Sequence, residues 1–374
     1  MERPTVAVTM GDPAGVGAEV VVEAYPRLCD AAVPLVVGDA DVLRAAVEVC
    51  GGDPVVEPVD SPAAADADPE RIPVLDLDNV DAADLTYGEV REAYGAASLE
   101  YVERAVELAI DGAVDAITTA PINKQATRCA GSTYAGHTGL LADRTDTDEY
   151  AMMLVEGLDS VASETPRADG AGDSVDGAAD GGVDADLIVT HVSTHVPLTE
   201  ACNRVCRGRV RTTVDVTHEG LRDLGIDEPT IAVAGLNPHA SDGGILGVAE
   251  GSEIEPAVAD ARADGLDVVG PESPDTVFAQ AAGGAYDCVV AMYHDQGHIP
   301  IKMLGFDSDD AVSGVNVTVG LPIVRTSVDH GTAFDIAGEG VASEASMVDA
   351  VDVAARIARN RAARADAPGP DGDD

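Results

Sequence analysis

A regular alternation constrains the fold more than any other feature: short apolar runs of strand length are separated by amphipathic stretches of helix length. Strand candidates are TVAVTM (5–10), VPLVVG (33–38), DAITTA (115–120), AMMLVE (151–156), DLIVTHV (186–192), TIAVAGL (230–236), YDCVVAMY (286–293) and VNVTVG (315–320). Helical periodicity runs through residues 90–112 and 202–225, and a last helix is expected over 345–364. This pattern predicts an α/β fold with a mainly parallel sheet. The chain's 374 residues suffice for two such domains. Residues 159–186 break the pattern: Gly, Ala, Asp and Ser without apolar periodicity, expected to form an exposed, mobile insertion.

Charge excludes several function classes. The chain has 68 acidic and 22 basic residues, a formal charge of −46. Such a charge repels nucleic-acid phosphates and anionic membranes, so neither is an expected partner. Asp and Glu are spread over nearly every segment rather than clustered. That distribution fits a halophile's cytoplasmic protein with a surface adapted to molar salt, not a docking patch for a basic partner. The opening MERPTVAVTM has neither a basic n-region nor an apolar h-region. No window approaches the ~18 apolar residues of a membrane span. The six cysteines (29, 50, 129, 202, 206, 288) lack a disulfide-scaffold spacing and are expected as reduced, mostly buried thiols.

The titratable residues suited to anion and metal chemistry fall at strand ends. Lys124, in TTAPINKQA, and Lys302, in HDQGHIPIK, are the only two lysines, and both follow strand candidates. Ligand sites of open α/β sheets gather at such carboxyl ends. His218 lies mid-helix, as a surface or core residue would. The other seven histidines follow strand candidates or sit in Gly/Pro/Asp-rich turns: His137, His191, His195, His239, His294, His298 and His330. His195, His239 and His294 each come just after an apolar run. Three imidazoles on adjacent loops could hold a divalent metal and leave a position for substrate, although spacing alone does not bring distant histidines together. MGDPAGVGAE follows the first strand. Its glycines at 11, 15 and 17 fit neither G-x-G-x-x-G nor a P-loop, so a tight turn bringing backbone near a ligand is all it supports.

In order, VTMGDPAGVGAE, TAPINK, YAGHT, THVPL, LNPHASDGG, MYHDQGHIPIK and VNVTVGLPIVRTSVDHGTAFDIAG strongly resemble the 4-hydroxythreonine-4-phosphate dehydrogenase family, with its D-threonate and D-erythronate 4-phosphate dehydrogenase relatives. The resemblance runs from about residue 5 to residue 360, apart from the insertion. DHGTAFDIAGEG is also similar to a cofactor loop of isocitrate and isopropylmalate dehydrogenases. The resemblance implies their α/β two-domain fold with a cleft between the domains. One domain is expected over 1–130 and 305–374, with the NAD loop. The other, over 131–304, is expected to carry the metal ligands, the dimer contacts and the 159–186 insertion.

Residue by residue, the resemblance puts the metal ligands at His195, His239 and His294, contributed by both subunits of a homodimer. It puts substrate contacts at His137, Thr138, Lys302, Asn316 and Arg325, and catalytic groups at Lys302 and, with a looser match, Asp275. His330, Gly331, Thr332 and Asp335 fall in the cofactor loop. The implied partners are a small anionic phosphorylated substrate, NAD or NADP, and one divalent metal per site: Zn²⁺ first, with Mg²⁺, Co²⁺, Ni²⁺ and Mn²⁺ as alternatives. The implied reaction is oxidation with decarboxylation of 4-phosphohydroxy-L-threonine, the vitamin B6 precursor, to 3-amino-2-oxopropyl phosphate. D-threonate or D-erythronate 4-phosphate is the alternative substrate, and a non-catalytic ligand-binding protein on the same fold the alternative of another class. The completeness of the motifs argues against the latter. Asp295 either orients an imidazole or caps a turn or helix.

Three departures stand out: HTG for the family's HTE, NPHASDGG for NPHAGEGG, and a longer, more acidic loop in GFDSDDAVSGVN. They bear on the substrate rather than on the chemical class.

Overall fold

In a computed structural model the described residues are 3–134, 136–157, 187–304 and 314–366. The insertion expected at 159–186 and the acidic loop at 305–313 lie outside them. The chain divides into two compact units. The first comprises Met1–Tyr150, Glu219–Asp227 and Val315–Asp374; the second comprises Ala151–His218 and Glu228–Gly314.

In the first unit the strands are β1 Thr5–Thr9, β2 Val33–Gly38, β3 Val55–Pro58, β4 Arg71–Asp76, β5 Ala116–Thr119, β11 Val315–Val319 and β12 Arg325–Val328. They lie in the order β3-β4-β2-β1-β5-β12-β11, parallel except for the β11–β12 pair. The inner strands are covered on both faces, which is why they read as unbroken apolar runs. Val6, Val8, Leu35, Val36 and Ile117 are wholly buried. Local chemistry sets the helix ends. Asp39 caps the helix Ala40–Cys50, its side chain accepting from Asp41 and Val42 N–H, and Gly51 closes it in the left-handed region at φ 65°.

In the second unit β6 Ala151–Glu156, β7 Leu187–His191, β8 Ile231–Ala234, β9 Val268–Glu272 and β10 Cys288–Ala291 are ordered β6-β7-β10-β8-β9. Only the β6–β7 pair is antiparallel. Their core packs Leu154, Val189, Val289 and Ala291 against Val277, Phe278 and Ile301. All eight strands read from the sequence are present, and the α/β class holds.

Two local expectations fail. HDQGHIPIK, directly after an apolar run, is expected as a strand-end loop. It forms the helix His294–Leu304, with Pro300 inside. Gly297 is there for space: a Cβ on it would lie 2.5 Å from His191 Nε2 and 2.6 Å from Val189 Cγ1. Packing against β7 therefore overrides the turn signal. Nor are the cysteines mostly buried. Cys29 and Cys288 are, but Cys129, Cys202 and Cys206 are exposed, and the helix expected over 202–225 breaks between Leu198–Arg204 and Arg207–Asp223. Among the described residues no helix is long and apolar enough to cross a membrane.

Candidate active site

In the first unit the site is built at the ends of β1 and β5. MGDPAGVG forms a turn pressed onto its neighbours: a Cβ on Gly17 would lie 2.3 Å from Met10 O, and Gly11 adopts φ 78° with Pro121 O at 2.5 Å from its missing Cβ. This turn buries Asp12 completely. Its Oδ1 accepts from Ala14 N–H at 2.9 Å, while Oδ2 is buried with no hydrogen-bond partner. In the next motif, TAPINK, the Asn123 side chain caps the short helix Lys124–Cys129. The Lys124 stem crosses Gly136, its Cε 3.7 Å from that residue's absent Cβ.

Gly136 opens the helix His137–Arg144. Burial first, then the charges of Arg325 and Lys124, hold the His137 pKa well below the imidazole range, so the ring is neutral at pH 7. Arg325 on β12 is 2% exposed. Its Nη1 donates to Thr318 Oγ1 at 3.0 Å and its Nη2 to Thr119 Oγ1 at 2.7 Å. Among the described residues no carboxylate pairs with it, and burial alone lowers its pKa to about 10. Its Nε, His137 Nε2, Asn316 Oδ1, His330 Nε2, Thr9 Oγ1 and Asp12 Oδ2 are all buried without a partner. Buried polar atoms are normally satisfied. Beside a guanidinium that no carboxylate meets among the described residues, these unpartnered atoms leave a donor for an anionic group at Arg325 Nε and acceptors for a hydroxyl or amino group at Asp12 Oδ2 and Asn316 Oδ1.

Asp12 makes a pH prediction. Burial raises its pKa from 3.8 to about 6. Between those values the folded chain keeps a proton that the unfolded chain has released. The stability it contributes is thus full below about pH 4 and is lost as pH rises through 6. Asp12→Asn is expected to be more stable than the parent above pH 6, by up to about 3 kcal/mol, with the difference vanishing toward pH 4. Urea unfolding of both proteins across pH 4–8 checks it; equal stability at pH 7.5 would refute it.

The residues expected in the cofactor loop follow β12. His330 Nδ1 contacts Gly331 O at 2.9 Å, Thr332 O accepts from Val16 N–H at 3.1 Å, and Asp335 is exposed.

In the second unit, His195 and His294 come together, ring centroids 5.4 Å apart. Two imidazoles bound to one cation place their centroids about 5 Å apart, so this pair fits a shared divalent metal. His294 Nδ1 lies 2.8 Å from Asp295 Oδ1. A carboxylate only accepts, so the proton belongs on Nδ1 and Nε2 keeps its lone pair for a metal. His298 stacks on His294 at 3.7 Å, and His191 packs on His298 at 4.8 Å. His239 does not join them. It lies 3.7 Å from Asp275 Oδ2, whose pKa is lowered mainly by the Ser273 hydroxyl. Among the described residues no three His, Cys, Asp or Glu of one chain are close enough to hold a metal. Lys302 is two turns along the helix from His294, a rise of about 12 Å.

The NPHASD loop carries concentrated backbone strain: His239, Ala240, Ser241 and Asp242 all have positive φ. Ser241, at φ 73°, stands where the resemblance has a glycine. Its Oγ donates to Gly247 O at 2.5 Å, an interaction that offsets the conformational cost.

Sequence reading did not single out Asp12, Thr119, Thr318 or Gln296. The last, buried, accepts from Met292 N–H and donates to Gly235 O, and so fixes the start of the His294 helix. Thr119 and Thr318 are signalled only as small polar residues within strands, and Asp12 and Gln296 only by following one.

A family model described as pyridoxal phosphate biosynthetic protein PdxA matches residues 30–354. The chain is 42% identical to 4-hydroxythreonine-4-phosphate dehydrogenase of Trichlorobacter lovleyi, covering 96% of this chain and 99% of that one. It is also 42% identical to D-threonate 4-phosphate dehydrogenase of Salmonella typhimurium, covering 96% and 100%. The crystal structure of 4-hydroxythreonine-4-phosphate dehydrogenase from Klebsiella pneumoniae aligns with a TM-score of 0.78 at 42% identity, covering 95% and 98%. Fold and likeness together make this chain an α/β enzyme, a dehydrogenase. It belongs to the PdxA family.

Proposed function

We propose that the protein catalyses NAD-dependent, metal-assisted oxidation, with decarboxylation, of a phosphorylated four-carbon hydroxy acid. The leading substrate is 4-phosphohydroxy-L-threonine, yielding 3-amino-2-oxopropyl phosphate. The observation that carries this reading is the buried, carboxylate-free guanidinium of Arg325 among unpartnered polar atoms. A substrate with a phosphate and a carboxylate supplies the missing acceptors.

Arg325 binds one anionic end through its planar fork, Asn316 and Thr138 align the substrate, and neutral His137 contacts it without adding charge. Lys302 is assigned to the other anionic end. His195, His239 and His294, drawn from two subunits, would hold a divalent cation, Zn²⁺ first, and Asp275 steadies His239. When bound, that cation supplies charge stabilisation at an alcohol oxygen and NAD accepts the hydride. Two observations support the dimer: His239 lies apart from the other two ligands, and the second unit exposes Leu198, Ile245, Val248, Ile299 and Met303.

A second reading, D-threonate or D-erythronate 4-phosphate as substrate, is favoured by the equal identity to relatives of either name. Formation of NADH in molar KCl with added Zn²⁺ or Mg²⁺ separates them. Preference for the 2-amino substrate places the enzyme in vitamin B6 synthesis. Turnover of the 2-hydroxy acids alone makes it a catabolic dehydrogenase, and no turnover of any by folded, metal-loaded protein overturns both readings.

A further inference from the structure

Glu19 is a buried carboxylate that the proposed chemistry does not use. It lies in the first turn of the helix Gly17–Ala31 and is 1% exposed. Its Oε1 accepts from Gly338 N–H at 2.7 Å and its Oε2 from Gly340 N–H at 2.8 Å. Both glycines are left-handed, at φ 86° and 64°, so alternate amides turn toward one anion. The N-terminal end of its own helix favours the negative charge. A buried carboxylate held by backbone alone is costly to keep unless what it holds matters.

What it holds is the DIAGEG end of the segment beginning at His330. The rest of that segment is clasped by the same turn and its neighbours. Val16 N–H donates to Thr332 O at 3.1 Å. A Cβ on Gly15 would lie 2.9 Å from Thr332 O, and one on Gly88 2.8 Å from Phe334 O. On Gly338 it would lie 2.5 Å from the Tyr87 ring. Tight contacts thus fix the front of the loop, and a pair of charge-assisted hydrogen bonds fixes its back.

We infer that Glu19 is the positioning residue of the dinucleotide loop, its carboxylate setting the backbone of 332–340 in the shape that receives the cofactor. The inference rests on assigning that loop to NAD. Glu19→Gln keeps the size but turns an NH₂ donor toward one of the two amides. Glu19→Asp keeps the charge on a shorter stem. In the full-length, metal-loaded protein, hydrogen exchange at the Gly338 and Gly340 amides is expected to accelerate about tenfold or more in Glu19→Gln, and less in Glu19→Asp. The dissociation constant for NADH, read from its own fluorescence, is expected to rise about tenfold, with substrate affinity unchanged.

Unchanged exchange in Glu19→Gln overturns the inference, whatever the NADH affinity. Faster exchange with unchanged NADH affinity upholds Glu19 as the loop's anchor and overturns the loop's assignment to the dinucleotide. If Glu19→Gln does not fold, Glu19→Asp decides: native-like exchange at both glycines overturns the inference, and intermediate exchange with weakened NADH binding supports it.

Discussion

Arg325→Met is expected to leave a folded protein of equal or greater stability whose kcat/KM for the phosphorylated acid is lower by about a thousandfold or more. The two halves of this result come from one fact. Arg325 is buried, and among the described residues its guanidinium bonds only the hydroxyls of Thr318 and Thr119 and its Nε has no partner. A buried charge without a counter-charge destabilises the free protein, so an apolar side chain of similar length contributes about 1–2 kcal/mol. The substrate's anion is then left in the same dry place without its planar partner, and most of the loss falls on KM. Thermal unfolding and steady-state kinetics on the same preparations test both halves. Activity within tenfold of the parent, or a collapse of the fold, would show that Arg325 is a structural cation.

His294→Ala is expected to lower turnover by about a thousandfold or more, and to lower bound metal in parallel, while binding of the phosphorylated acid to the first unit persists. Of the three proposed ligands His294 has the most support: Asp295 sets its tautomer, His298 stacks on it, and His195 faces it at 5.4 Å. Removing one of the three proposed ligands would leave too few to hold a catalytic cation against solvent. Chelation of the parent protein should reproduce the loss, and added metal should reverse it in the parent but not in the variant. Metal content measured by mass spectrometry alongside turnover checks this. Full metal loading in His294→Ala would remove it from the ligand set.

How far the sequence foretold the molecule depends on what each element hides. Strands covered on both faces, such as VVAMY before His294, announced themselves as apolar runs. The four strands missed did not. VVEP, RIPVLD and VVGPE contain prolines, and β3 and β9 lie outermost in their units' strand order. RTSV is polar although buried, because Thr326 bonds Thr118 across the sheet and reaches Ala350 O. At the site, histidines and lysines stood out by their rarity and by following strands. Asp12 and Glu19 did not, being two acids among 68, and only their burial distinguishes them. The helix at His294 was hidden by Gly297, a residue required for space beside His191 and not for a turn.

Of the two anionic ends of the substrate, the buried guanidinium of the first unit is proposed to receive the phosphate. The most direct test compares NADH formation from 4-phosphohydroxy-L-threonine with that from 4-hydroxy-L-threonine, identical but for the phosphate, in the metal-loaded protein and in Arg325→Met. Loss of the phosphate and loss of Arg325 are each expected to lower kcat/KM by about a thousandfold, and losing both is expected to cost little more than losing one. Equal turnover of the two compounds by the parent protein, or fully additive losses, would contradict it.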